Sequence, residues 1–495
     1  MLTINTRNRA VCNGLSRRDL LRVGGAGLFG TSASQLLAAE SVRAATGGRA
    51  KSVMFLFLFG GPSQLESFDM KPSAASKIRG PLKPIASRTP GLLISEKLPR
   101  TAAISDKIHV IRTMTHPHND HNACHYIQTG HAWTRTAANG NDVNARETDW
   151  PAMGSVVEYI EQHSPGSHLR DFPDYVYLPN RLGHLQGYDR TGQYAGWLGR
   201  AYNGLATDIR KKNKTDNPFF RACDDKELDF RIKGIVPETE IGLDRLDRRR
   251  GLLEQFDIAR REIETAKRLQ DYHGIRQQAL SLVTSEKIRS ALDIRREQAA
   301  LRDRYGRHLF GQSCLMGRRM VEAGCRFVTV LWDAPDGYSW DSHRTSADLE
   351  KHLLPGFDQA YAALIDDLDQ RGLLEETLVV AVGEIGRTPK PDTSAWGRGH
   401  WSHCFPCVLA GAGIRGGEMY GRSDADAAYP AENPVSPEDL AATIFDSLGI
   451  GHDVRLPDTQ GRPVPMLERG EPLRRLFSGA CSSAAAGKRK VSSLG

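Results

Sequence analysis

The stretch "LPGFDQAYAALIDDLDQRGLLEETLVVAVGE", Leu354 to Glu384, decides the fold class. Its first part sets Leu and Ala at helical spacing, which predicts an amphipathic helix ending near Gly372. Its last part, "LVVAVGE", is a short apolar run closed by a carboxylate, which predicts a strand. The same alternation continues outward in both directions. "CRFVTVLW" (Cys325–Trp332) and "CVLAGAGI" (Cys407–Ile414) read as strands, and "SPEDLAATIFDSLGI" (Ser436–Ile450) reads as a helix capped by Ser436 with Pro437 next. Further upstream, "KSVMFLFLFGGPSQ" (Lys51–Gln64) is a fully apolar run breaking into a Gly-Gly-Pro turn, the pattern of a central parallel strand. "DKIHVIRTM" and "FPDYVYLPN" add strands, and "PAMGSVVEYIEQ" adds a helix. Strands alternating with helices predict an α/β fold, with a mostly parallel sheet covered on both faces. Ligands in such sheets bind at the carboxyl ends of the strands.

The chain has 495 residues, 40% hydrophobic and 25% charged, as a globular protein requires. Its net charge of +7 is modest for this length, and no finger spacing or aromatic RNA-binding motif accompanies it, so no nucleic-acid partner is expected. "LSRRDLLRVGGAGLFGTSASQLLAAESVRAA" carries the pair Arg17-Arg18, then a weakly apolar run and small residues. That order matches a twin-arginine export signal over residues 1–45, cut near Ala39 or Ala44. It implies the export machinery as a partner, a periplasmic or extracellular location, and folding before export. No later segment reaches the ~18–20 apolar residues of a membrane span. Residues 46–475 are expected to form the domain, with a turn-rich and helical insertion at about 190–325 and a low-complexity tail at 476–495. The eight cysteines are scattered, with seven left once Cys12 goes with the signal, so no disulfide framework is expected. Cys404 and Cys407 have redox spacing but sit in an apolar run that reads as a strand.

Four polar clusters follow predicted strands. They are Ser63, Glu66 and Asp69; then His116, His118, Asp120, His121 and His125; then Asp341 and His343; and finally Glu384, Arg387, Arg398 and His400. In an extended segment, Asp341 and His343 point to the same side and aim at one spot. Carboxylates and imidazoles without thiolates suit a hydrolytic zinc, manganese or calcium centre rather than a structural zinc. A bound divalent ion acidifies its water and polarises phosphoryl or sulfuryl oxygens. Ser63 on its glycine turn has the setting of an exposed nucleophile, and equally that of an ordinary turn residue. Glu384 suits a metal, and equally a salt bridge to Arg387.

"FLFGGPSQLESFDMKP", "RDRYGRHLFGQSCLMGRRMVEAGCRFVTV", "WDSH", "LLPGFDQAYAALIDDLDQRGLLEETLVVAVGEIGRTPK", "GRGHW" and "YPAENPVSPEDLAATIFDSLGI" together resemble an exported bacterial family, abundant in planctomycetes. It is catalogued as domain of unknown function 1501. The resemblance implies the alkaline phosphatase and sulfatase fold, a three-layer α/β/α sandwich holding one or two metals. It implies that Asp341, His343, Glu384 and His400 bind a divalent ion, with zinc first and calcium or manganese as alternatives. Ser63 falls nearest the nucleophile, and Arg387 or Arg398 would hold the anion of a small-molecule or polysaccharide ester of sulfate or phosphate. Two departures stand out. The first strand ends "LFGG" where a metal-binding Asp is expected, and Gly399 replaces the Asp of the family's Gly-Arg-Asp-His-Trp. A catalytically degenerate protein that binds a glycan or a partner is therefore the alternative reading.

Overall fold

A computed structural model of the chain describes residues 48–132, 135, 143–164, 172–209, 211–230, 286–333 and 339–478. The expected export signal, residues 231–285 of the expected insertion, and the tail from 479 lie outside the described residues.

The main sheet has eight strands: β1 (Ser52–Leu58), β2 (Ile108–Met114), β3 (Tyr175–Leu178), β4 (Leu205–Ala206), β5 (Phe327–Trp332), β6 (Thr377–Val382), β7 (Phe405–Ala410) and β8 (Glu418–Tyr420). Their order is β8-β2-β7-β6-β1-β5-β3-β4. Every pairing is parallel except those of β7, which runs antiparallel to both β2 and β6. β1 lies inside the sheet, with Phe55 opposite Thr329 on one side and Val380 on the other.

All seven residues of β1 are buried, because both faces of the sheet are covered. Successive side chains go to opposite faces. Met54, Leu56 and Leu58 enter one core, and Val53, Phe55 and Phe57 enter the other. Among the described helices that cover those cores are α1 (Ala123–Thr129), α2 (Met153–His163), α3 (Leu309–Glu322), α4 (Leu354–Gln370) and α5 (Pro437–Ser447). α3 and α4 bring Phe310, Leu315, Phe357 and Leu364 to the first core. α1, α2 and α5 bring Ile127, Val157, Ile160, Leu440 and Ile444 to the second. The three-layer α/β/α sandwich is thus the architecture expected from the sequence.

Local signals place the helix ends. Pro355 stands where a π-helical turn, Leu349–Leu353, runs directly into α4, an irregular turn in the helix that accommodates its missing N–H. Ser436 caps α5 by accepting from the Asp439 amide, and Asp439 returns a bond to the Ser436 amide, a reciprocal cap worth about 1 kcal/mol. α3 falls within the stretch expected as an insertion, but it packs on the sheet as part of a covering layer. The six described cysteines are buried. Burial pushes the thiols of Cys404 and Cys407 well up, which suits packing and not redox exchange. No helix among the described residues is long and apolar enough to cross a membrane.

Candidate metal centre

β1, β2, β5 and β6 run in the same direction, so their carboxyl ends share one edge of the sheet. After β1 the chain turns through Gly60, and after β6 it reaches Glu384 within two residues. After β2 comes the histidine loop that leads into α1. Past β5, beyond residues outside the described set, come Asp341 and His343. A short antiparallel ribbon pairs Gly386–Arg387 with His400–Trp401 and folds His400 back over this edge.

Asp341 is the hub. Its Oδ2 lies 3.2 Å from His121 Nε2. Its Oδ1 lies 3.0 Å from His343 Nε2, 3.2 Å from His400 Nε2 and 2.5 Å from Arg387 Nη2. The Nε2 atoms of His343 and His400 are 2.9 Å apart. Ligands about 2.0–2.1 Å from a tetrahedral ion sit roughly 3.3 Å from one another. These contacts are close to that spacing, and among the described residues His121, Asp341 and His400 form a group whose donor atoms all lie within 4.8 Å of one another, with His343 against Asp341 and His400. An imidazole-rich set with one carboxylate and no thiolate matches a catalytic zinc-type centre.

Burial alone would lower the pKa of His121, but hydrogen bonds to Asp341 and Glu384, and their charges, raise it to about 9, so the ring is protonated in the metal-free chain and an ion would have to displace that proton. Burial likewise opposes ionisation of Asp341, yet the hydrogen bonds from His121, His343 and His400 and the Arg387 charge hold it far below the carboxylate range. The carboxylate is therefore ionised at any working pH, as a ligand must be.

Asp341, His343 and His400 come together as the sequence suggested, although by a different backbone. Ser342 N–H donates to Trp340 O and His343 N–H to Asp341 O, both at 2.9 Å, so the segment is tightly turned rather than extended. Glu384 stands behind the cluster. It is 0% exposed, accepts from Gly60 N–H at 2.9 and 3.0 Å, and lies 2.7 Å from His121 Nδ1. A carboxylate on Nδ1 leaves Nε2 free for an ion and fixes the ring's orientation, the usual outer partner of a metal-bound histidine. In this geometry His121, and not the expected Glu384, joins Asp341 and His400 in the group that could hold an ion. Glu384→Gln should weaken zinc binding about 10–100-fold, read by competition with a chromophoric chelator. Unchanged affinity would remove Glu384 from the centre.

Ser63 does not face the cluster. A single 3₁₀ turn, Gln64–Glu66, folds it inward; it is 1% exposed, and its hydroxyl donates to Glu66. Arg398 lies beyond Glu66: its fork donates to Glu66 and to the carbonyls of Ile78, Thr388 and Pro389 and is paired with the Glu66 carboxylate. Neither the nucleophile role of Ser63 nor the anion role of Arg398 fits this geometry. Arg387 is also fully buried, held on Asp341 and backbone carbonyls. Asp69 bonds Ser423 and Lys71 away from the centre.

Of the histidine loop, only His121 enters the cluster among the described residues. His116 sits beside it, with Nε2 2.7 Å from Glu384 O, and burial lowers its pKa to about 4. His118 packs its ring on Tyr126, and Asp120 caps the turn by accepting from Asn122 N–H. His125 turns to Thr191, buried. The departure at the end of β1 has a steric cause. Gly60 has φ +111°, and a Cβ there would lie 2.5 Å from Asp341 N. The loop bearing Asp341 occupies the space an aspartate side chain would need.

A family described as "Protein of unknown function (DUF1501)" matches residues 50–477. No curated protein matches the chain in sequence. Among solved structures, the phosphonate monoester hydrolase SpPMH from Silicibacter pomeroyi is 12% identical with a TM-score of 0.37, covering 88% of this chain and 77% of its own. A Bacteroides thetaiotaomicron protein, from work on the metabolism of multiple glycosaminoglycans, is 10% identical with a TM-score of 0.40 (88% and 78% covered). The sulfatase PsFucS1 from Pseudoalteromonas sp. is 12% identical with a TM-score of 0.35 (85% and 72% covered).

Proposed function

The chain belongs to the DUF1501 family, whose match spans residues 50–477, and on that footing we propose that it is an exported, metal-dependent hydrolase of sulfate or phosphate esters. The observation that carries the reading is the polygon of His121, Asp341, His343 and His400 at the carboxyl edge of the sheet. These residues would hold the ion. Their nitrogen-rich set favours zinc over manganese, and both over calcium, which prefers oxygen. A divalent ion there supplies an acidified water and a Lewis acid toward a phosphoryl or sulfuryl oxygen. The ester class follows the motif resemblance, and the substrate is a small molecule or a polysaccharide bearing such an ester.

The chain's own residues do the rest. Glu384 fixes the tautomer of His121, and Arg387 steadies Asp341. With the Ser63 hydroxyl given to Glu66, water rather than a serine side chain is the attacking group this geometry favours. Cleavage then yields the alcohol and the free oxyanion, and no covalent ester with the protein accumulates.

The test is a panel of aryl sulfates and aryl phosphates with the full chain loaded with zinc, manganese or calcium. Turnover that is abolished by chelation and restored by metal is the expected result. A full metal complement with no turnover would favour the alternative, a metal-containing protein that binds a glycan or a partner. The inward-turned Ser63 and Arg398 are what favour that second reading. Export is tested by substituting Arg17 and Arg18 with lysine and following the protein by cell fractionation; secretion unchanged by the pair would refute the twin-arginine route.

A further inference from the structure

We infer that the Arg387 guanidinium fills an oxygen-lined cation site beside the metal centre, so that this chain binds one divalent ion and not two. The inference rests on the metal-centre reading above and fixes the number of ions.

Arg387 is held in the short ribbon by Gln64, which accepts from its amide at 3.0 Å and donates to its carbonyl at 2.8 Å. Its side chain is 0% exposed. Nε donates to Gly61 O at 3.1 Å, Nη1 to Arg398 O at 3.2 Å, and Nη2 to both Gly60 O and Asp341 Oδ1. Three neutral carbonyls and one carboxylate oxygen, with no nitrogen or sulfur, form the donor set a hard cation selects. Two of those carbonyls come from the glycines that end β1, and Asp341 is the carboxylate that also faces the histidines.

A buried charge carries a desolvation penalty that its partner and its hydrogen bonds must offset. Arg387 meets it with three carbonyls and with Asp341, a carboxylate it shares with three imidazoles. Ions in two-metal centres lie about 3.5–4 Å apart and commonly share ligands. Here the guanidinium lies 2.5 Å from Asp341 Oδ1, the oxygen that also faces His343 and His400. Unlike an ion, it neither exchanges with solvent nor loses its charge at any physiological pH.

The experiment counts ions on the folded full-length chain. The protein is stripped with chelator and titrated calorimetrically with zinc, manganese and calcium, with elemental analysis after dialysis. One equivalent of zinc is expected in the parent chain. Arg387→Ala opens the oxygen site and should take up a second equivalent, of manganese or calcium. Arg387→Lys keeps a cation and should stay at one. Two equivalents in the parent would overturn the inference while leaving the metal centre intact. A folded Arg387→Ala protein that stays at one equivalent with manganese and calcium would overturn it too. No bound metal in the parent would remove both the inference and the reading beneath it. Should the alanine variant not fold, the parent count and the lysine variant still decide, since two equivalents in either refutes it.

Discussion

Asp341→Ala, purified folded and titrated with zinc, should lose stoichiometric metal. Asp341 is the one group that His121, His343, His400 and Arg387 all contact. Its removal takes away the only carboxylate of the polygon and leaves a guanidinium facing three imidazoles across an empty position. Disturbing a partner behind a ligand costs up to about 100-fold in affinity, so losing the hub itself should exceed that. Ester turnover should fall to background with the metal. The check is elemental analysis of the dialysed variant beside a circular-dichroism spectrum. A folded Asp341→Ala protein with a full metal complement would place the ion elsewhere.

The second large effect is acid unfolding. Burial holds His116 at about 4, His125 at about 3 and His131 at about 4, all neutral in the fold. In the unfolded chain each titrates near 6.5. Between about pH 6.5 and 4 the unfolded state therefore binds more protons than the native one, and stability is lost as pH falls through that window. Each histidine removes about 1.4 kcal/mol per pH unit, roughly 4 for the three. Over two units that reaches the size of a typical domain's whole stability. His121, raised to about 9, has the opposite sign: its contribution is complete below 6.5 and is lost as pH rises through 9. The metal-free chain should thus be most stable near about pH 7 and unfold cooperatively between about pH 6 and 4. Fluorescence-detected denaturation at several pH values would show it, and stability flat from pH 6.5 to 4.5 would refute it.

How far the sequence foretold this depends on the range of each interaction. The alternation of apolar runs and amphipathic stretches around Leu354–Glu384 is a local pattern, and it carried the sandwich. The reciprocal cap of Ser436 and Asp439 spans three residues and was legible for the same reason. Asp341 and His343 were found because two residues so close in sequence meet under either a strand or a turn, so the wrong backbone still brought them together. His121 was visible only as one of several histidines in its loop. Choosing it requires knowing how α1 seats against the sheet and which ring reaches Glu384, a partner more than 250 residues away. Ser63 and Arg398 misled because a Gly-Gly-Pro turn reads as exposed. The burial of Ser63 comes from Glu66 meeting an arginine from the far end of the domain, which no local spacing records.

The crowding at Gly60 has a consequence for how this chain can be altered. A side chain there meets the backbone of Asp341, and the carbonyls around it already hold Arg387. Placing a carboxylate at position 60 alone would damage the hub, and removing Arg387 alone would leave its carbonyls without a cation. The turn at Gly60, the Arg387 side chain and the Asp341 loop therefore occupy one shared space. An engineer seeking a second ion would have to replace the turn, the arginine and the Asp341 loop as one unit.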